Sequence, residues 1–197
     1  KEFFTRDKAL LILFFVFFYK LGDALGGAML SPFYVQMGYT NADIGLIAKV
    51  FGLTSSLVGV FIGGLLIFYW GIYRSLWIFG VLQALSTAFY ALITFTGPLK
   101  SMLAIAVIGE DVSAGMGSAA FLAFLAKITD RRFTATQYAV LSSIATLGRT
   151  FFAGFTGDMV KSMGWAPFFF TCGGIGIIGL ALLIPMKSAV EVTEKTA

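Results

Sequence analysis

Apolar residues in this chain neither alternate nor mark a single helical stripe; they run almost unbroken for twenty or more positions between short polar turns. Six stretches have this character: Ala9–Gln36, Asp43–Tyr69, Leu76–Thr96, Leu99–Ile128, Thr134–Val160 and Trp165–Met186. A bilayer core takes about 20 apolar residues per helix, whereas barrel strands alternate over about ten. The pattern therefore predicts six membrane-spanning helices. The connections, at 37–41, 70–73, 96–98, 129–132 and 162–164, are short and carry turn residues. Two helix starts have the spacing of a capping box, Thr40 with Asp43 and Thr134 with Gln137.

Charge interrupts this pattern at six positions. Lys20 and Asp23 fall in the first span, Lys49 in the second, Glu110 and Asp111 in the fourth and Arg149 in the fifth. The third and sixth spans carry none. A charged group in hydrocarbon costs on the order of 3 kcal/mol, so it persists where it meets a partner or a water-filled cavity. The expectation is a polar pathway lined by four helices and shielded from lipid by the other two, which is a transporter's layout.

Composition agrees. The chain is 58% apolar and 12% charged, with mean hydropathy +0.91. Soluble domains sit nearer half apolar and a quarter charged. The net charge of +4 reads as basic loop residues that orient a membrane chain, and no nucleic-acid partner is expected. A lone Cys172 and the lack of His leave no disulfide framework and no Cys- or His-based metal site; no cofactor is expected. HExxH, GxSxG and P-loop motifs are missing, and neither Gly22–Asp23 nor Gly157–Asp158 extends to a GxGD motif, so an enzyme is disfavoured. At or beyond the span ends, Lys1, Arg6, Lys8, Arg74, Lys127, Arg131, Arg132, Lys187 and Lys195 fall on one side, and Lys100 and Lys161 on the other. Nine against two predicts that both ends of this segment are cytoplasmic. The start at Lys1 rather than Met suggests a piece of a longer chain.

Each charged position has a structural reading beside the functional one. Lys20 and Asp23, three residues apart, share a helix face, and either a self-neutralising pair or a cavity role accounts for them. Adjacent Glu110 and Asp111 point about 100° apart. Three cations against three anions could form a neutral layer. A buried carboxyl beside another holds a proton more readily than a solvated one, which makes Glu110 the first candidate for a proton relay. Lys49 lies on a helix with Gly45, Gly52, Gly59, Gly63 and Gly64 at roughly heptad spacing, and close helix packing is the simpler job for those glycines. Arg149 could bind a substrate carboxylate or phosphate, or pair with Asp or Glu. Asp43 and Asp158 sit near the outer interface and read as ordinary. Tyr19, Tyr34, Gln83, Tyr90 and Gln137 could donate to a sugar, although an interfacial aromatic belt accounts for many membrane tyrosines. Residues 22–33 echo 110–121, with an acid, one Gly and the terminal Phe in register; an inverted three-plus-three repeat would produce such an echo.

The runs at 19–24 (TyrLysLeuGlyAspAla), 45–53, 82–84 (LeuGlnAla), 110–123 (GluAspValSerAlaGlyMetGlySerAlaAlaPheLeuAla) and 133–143, with Gly148–Arg149, resemble the AmpG-type muropeptide permeases of the major facilitator superfamily. The resemblance covers nearly all of Tyr19–Trp165 in order. It implies an all-α membrane protein whose residues 1–187 form a six-helix C-terminal lobe, with 188–197 as a cytoplasmic tail. It implies that an N-terminal six-helix half completes the transporter in the cell inner membrane. It further implies proton-gradient-driven import of anhydro-muropeptides for cell-wall recycling. Lys20, Asp23, Lys49, Glu110 and Arg149 match charged positions of the family pattern; Asp111 departs from it, where Asn is expected. The substrate and proton pathway would then comprise Lys20, Asp23, Lys49, Glu110, Asp111, Arg149 and Gln137. The alternatives are a carrier of another solute on the same fold (acetyl-CoA, a peptide or a sugar), or a non-transporting membrane scaffold.

Overall fold

A computed structural model describes residues 9–128 and 134–187, and among them it is a bundle of helices with no strand. The first span is two helices, α1 (Ala9–Tyr19) and α2 (Leu21–Gln36), which meet at Lys20 (φ −101°, ψ 0°). It is followed by α3 (Asn41–Trp70), α4 (Ile72–Thr96) and α5 (Lys100–Ile128). Then come α6 (Thr134–Ala153), α7 (Thr156–Met163) and α8 (Trp165–Ala181), with a final 3₁₀ turn at Ile184–Met186.

Among the described residues, five helical segments are long and apolar enough to cross a membrane: Leu11–Gln36, Asn41–Trp70, Ile72–Thr96, Lys100–Ile128 and Trp165–Met186. The stretch expected as a fifth crossing, Thr134–Val160, differs. It divides into α6 and α7 at a turn through Gly154 and Phe155. Its first part, rich in Thr and Ser, also has less apolar surface to offer lipid.

The turns follow the sequence. Four of them, at Gly38, Gly71, Gly97 and Gly164, contain a glycine with φ between 78° and 90°, a region that costs other residues a steric penalty. The Thr40–Asp43 capping box forms, with the Thr40 hydroxyl accepting from the Asp43 N–H at 3.2 Å. The connection 129–132, the side chains of Thr134 and Gln137, and the tail 188–197 lie outside the described residues.

Glycine sets how closely the helices approach. On α3, Gly59 faces the Val112 carbonyl and Gly63 lies where a Cβ would come 2.8 Å from Met116 Cα; from α5, Gly115 faces the Ser56 carbonyl in return. This is small-residue packing of the kind that holds membrane helices together. α4 packs on α5 and α8, α2 on α8, and α6 on α1 and α2. Within α3, residues Ile44–Phe51 form a wider π-helical turn.

The core divides into two apolar clusters. One gathers Phe15, Tyr19, Leu76, Phe79, Phe121, Phe124 and Leu180. The other gathers Leu25, Phe33, Tyr34, Tyr90, Leu103, Phe168 and Phe169. In the first span, α4 and α5 alike, polar residues fall between the two clusters: Lys20 and Asp23, then Gln83, Ser86 and Thr87, then Glu110, Asp111 and Ser113. A polar layer thus crosses the bundle between two greasy halves.

Candidate functional site

The polar layer is built around two buried charges. Lys20, at the junction of α1 and α2, is 5% exposed, and Glu110 on α5 is 7% exposed. The Lys20 ammonium donates to Asp23 Oδ2 at 3.4 Å, Gln83 Oε1 at 3.2 Å and the Ala114 carbonyl at 3.3 Å. Gly117 leaves room for this arrangement, since a Cβ there would sit 2.8 Å from Gln83 Oε1 and 3.5 Å from Lys20 Nζ. A buried ammonium with three acceptors satisfies its donors without water. The Gln83 Nε2 atom is buried with no hydrogen-bond partner, an uncommon state for a buried donor.

Glu110 is held by hydroxyls. Ser86 Oγ donates to Oε2 at 2.6 Å and Thr87 Oγ1 donates to Oε1 at 2.9 Å. Ser86 also meets Ser113 Oγ at 2.8 Å. The Asp23 carboxyl stands within hydrogen-bonding reach of Glu110 and interacts electrostatically with Asp111. One cation therefore faces two buried or half-buried acids, with a third close by.

The structure brings together only part of the expected set. Lys20, Asp23 and Glu110 form one cluster. Asp111 lies beside it with its Oδ2 against Gly52 of α3, where a Cβ would come within 2.8 Å. Lys49 is exposed on α3 and Arg149 stands apart on α6, where Nη2 donates to Thr146 Oγ1 at 3.2 Å. A single neutral layer of three cations and three anions is not what forms among the described residues. The adjacent acids 110 and 111 diverge around the helix, and Lys49 and Arg149 sit on faces that the bundle leaves open. Gln137 lies on α6, with its side chain outside the described residues.

The uncharged third span is more than a shield. It is α4, and it supplies Gln83, Ser86 and Thr87 to the two buried charges. Ser86, Thr87 and Ser113 were not singled out from the sequence. The available signal was the spacing of Gln83, Ser86, Thr87 and Tyr90, at i, i+3, i+4 and i+7, which is one face of a helix.

No family model matches the chain. Over 192 residues it is 36% identical to a protein of Rickettsia conorii provisionally named transporter AmpG 4, covering 98% of this chain and 46% of that protein. It is 34% identical over 195 residues to the anhydromuropeptide permease of Escherichia coli, covering 98% of this chain and 40% of the permease. By sequence, the chain is a relative of the AmpG permeases. A Rickettsia prowazekii protein provisionally named transporter AmpG 1 matches at 34% over 182 residues, or 92% of this chain and 41% of its own length. The chain thus spans less than half the length of these relatives. With its apolar helices it is a multi-pass membrane protein, and its relatives are permeases rather than enzymes. The runs 19–24 and 110–123 that carry the AmpG resemblance hold Lys20, Asp23 and Glu110, the heart of the polar layer.

Proposed function

We propose that this chain is the C-terminal half of a major facilitator transporter, six crossings arranged as an inverted three-plus-three repeat. In this reading 134–163 makes the additional crossing, both ends of the segment face the cytoplasm, residues 1–187 form the lobe and 188–197 a tail. An N-terminal half completes the cavity in the cell inner membrane, and the whole imports anhydro-muropeptides together with protons, with no cofactor beyond the proton gradient. The observation that supports it most directly is the Lys20–Asp23–Glu110 cluster, buried midway between two apolar clusters and hydrogen-bonded by Ser86 and Thr87. A protein with a purely structural use for these helices has no need of an acid pair beside a lysine at that depth.

Uptake of labelled anhydro-muropeptide into vesicles carrying the full-length protein, with and without a proton gradient, tests the reading. Uptake should rise with the gradient, and Glu110→Gln should remove that dependence. Gradient-dependent uptake that persists unchanged in Glu110→Gln would take the proton role away from Glu110. No muropeptide uptake at all would favour a carrier of another solute, and Asp111, where the family pattern has Asn, is the residue that favours that second reading.

A further inference from the structure

The hollow beside α6 is unlike the buried cluster. It measures about 440 Å³ and is lined by Ser142, Ser143, Thr146 and Leu147. Arg149 stands at its edge through the hydrogen bond from Nη2 to Thr146 Oγ1. Its Nε is buried with no hydrogen-bond partner, and its guanidinium makes no ion pair among the described residues. A guanidinium has five N–H donors in a fixed fork, so most of this one's capacity is unspent.

The surroundings favour an anion. Ser143, Thr146 and Thr150 are exposed on the same side of α6, which gives a polar face on a helix of a membrane bundle. The charged groups of the buried cluster already have partners, whereas among the described residues Arg149 donates to a neutral hydroxyl. On the reading that 134–163 crosses the membrane, depth narrows the source of the anion: Arg149 is fifteen residues into α6, about 22 Å from its start at 1.5 Å per residue. A lipid phosphate at the membrane surface does not reach that far into a hydrocarbon core about 30 Å thick.

We infer that Arg149, with the hydroxyls of Ser143 and Thr146 beside it, forms a binding site for a carboxylate of the transported solute. The fork takes both carboxylate oxygens, and the hydroxyls bound the hollow in which the rest of the anionic group sits. The inference rests on the transport reading for the identity of the solute, and it commits that solute to carrying a free carboxylate at this point.

Two measurements on the full-length protein test it. The first is thermal stabilisation by a dipeptide with free carboxylates, alanyl-glutamate, against its diamide. The diacid should raise the unfolding midpoint and the diamide should not, and Arg149→Gln should abolish the difference while Arg149→Lys keeps part of it. Equal shifts from diacid and diamide, no shift from the diacid, or a difference that survives in Arg149→Gln would each overturn the assignment. The second is muropeptide uptake. Arg149→Gln should raise KM at least tenfold for the free-acid substrate and leave KM for its amidated form within twofold of wild type. A rise of the same size for both forms would mean a structural role and would overturn the assignment. Wild-type protein that takes up neither form would sink the transport reading, and the dipeptide measurement would still decide the carboxylate site.

Discussion

Lys20 is held at mid-depth by Asp23, Gln83 and the Ala114 carbonyl, and Glu110 beside them by the hydroxyls of Ser86 and Thr87. Removing one member of such a group leaves the rest uncompensated, which typically costs about 3–5 kcal/mol. Lys20→Met should therefore lower stability by about that amount in a thermal or denaturant unfolding measurement. Adding Asp23→Asn and Glu110→Gln to it should recover much of the loss, because an apolar or neutral set can replace a buried ionic one. If the triple variant is no more stable than Lys20→Met, the three groups do not act as one cluster. At this scale the sequence was informative in a particular way. An ion three residues from its opposite, in a stretch that lipid would otherwise surround, is legible from composition alone. The hydroxyls of Ser86, Thr87 and Ser113 were not, because a serine in a membrane helix costs little and usually bonds its own backbone, as Ser75 does to Gly71 at 2.7 Å. Which carboxylate a hydroxyl finds is decided by another helix: Ser86 and Thr87 reach Glu110 from 24 and 23 residues away in sequence.

Among the elements, α3 and α5 show what a glycine spacing can and cannot say. The stripe on α3 was expected to pack a neighbour, and Gly52, Gly59 and Gly63 do so, but Gly45 and Gly64 have nothing within 4 Å of where a Cβ would stand. That contrast yields a paired prediction. Gly59→Leu should force α3 off the Val112 backbone and destabilise the protein by about 1–3 kcal/mol, as overpacking does. Gly64→Leu, on the open side, should change stability by less than about 0.5 kcal/mol. Unfolding midpoints of the two variants in the same detergent check this, and similar losses would mean that the α3–α5 contact is not where the helix pair is held. The span at 134–160 shows the opposite limit. Its length suggested a single crossing, whereas the chain turns at Gly154 and Phe155 and makes two helices.

For the whole molecule, the sequence was read correctly where membrane physics is strict. Backbone groups in hydrocarbon must bond within their own segment, so long apolar runs between glycine turns could only become helices, and their order follows from short connections. The layout of the charges was less legible. Counting ions per span marked four helices for the polar pathway, yet the layer draws its hydrogen bonds from α4, which carries no ion in its span. A lobe that exposes Lys49 and holds Arg149 half-buried beside an open hollow is one whose polar surface looks outward to something else. The chain by itself should accordingly show no muropeptide uptake in vesicles, and co-expression with the remainder of the full-length protein should restore it. Uptake by the chain alone would mean that it assembles its own complete passage.

The wide turn at Ile44–Phe51 has a geometric effect on everything upstream of it. Moving from i→i+4 to i→i+5 hydrogen bonding reduces the rotation per residue, so seven positions no longer return to the same side. Gly45 and Gly52 would be near-eclipsed on a regular helix, but only Gly52 meets α5, with Asp111 against it. Lys49 is carried round in the same way and away from the acids that its spacing seemed to address. The wider winding thus works as a phase slip: from Gly52 onward the glycine stripe of α3 meets its neighbour, and within the wide turn Ile47 is buried while Gly45 and Lys49 are turned to the open side.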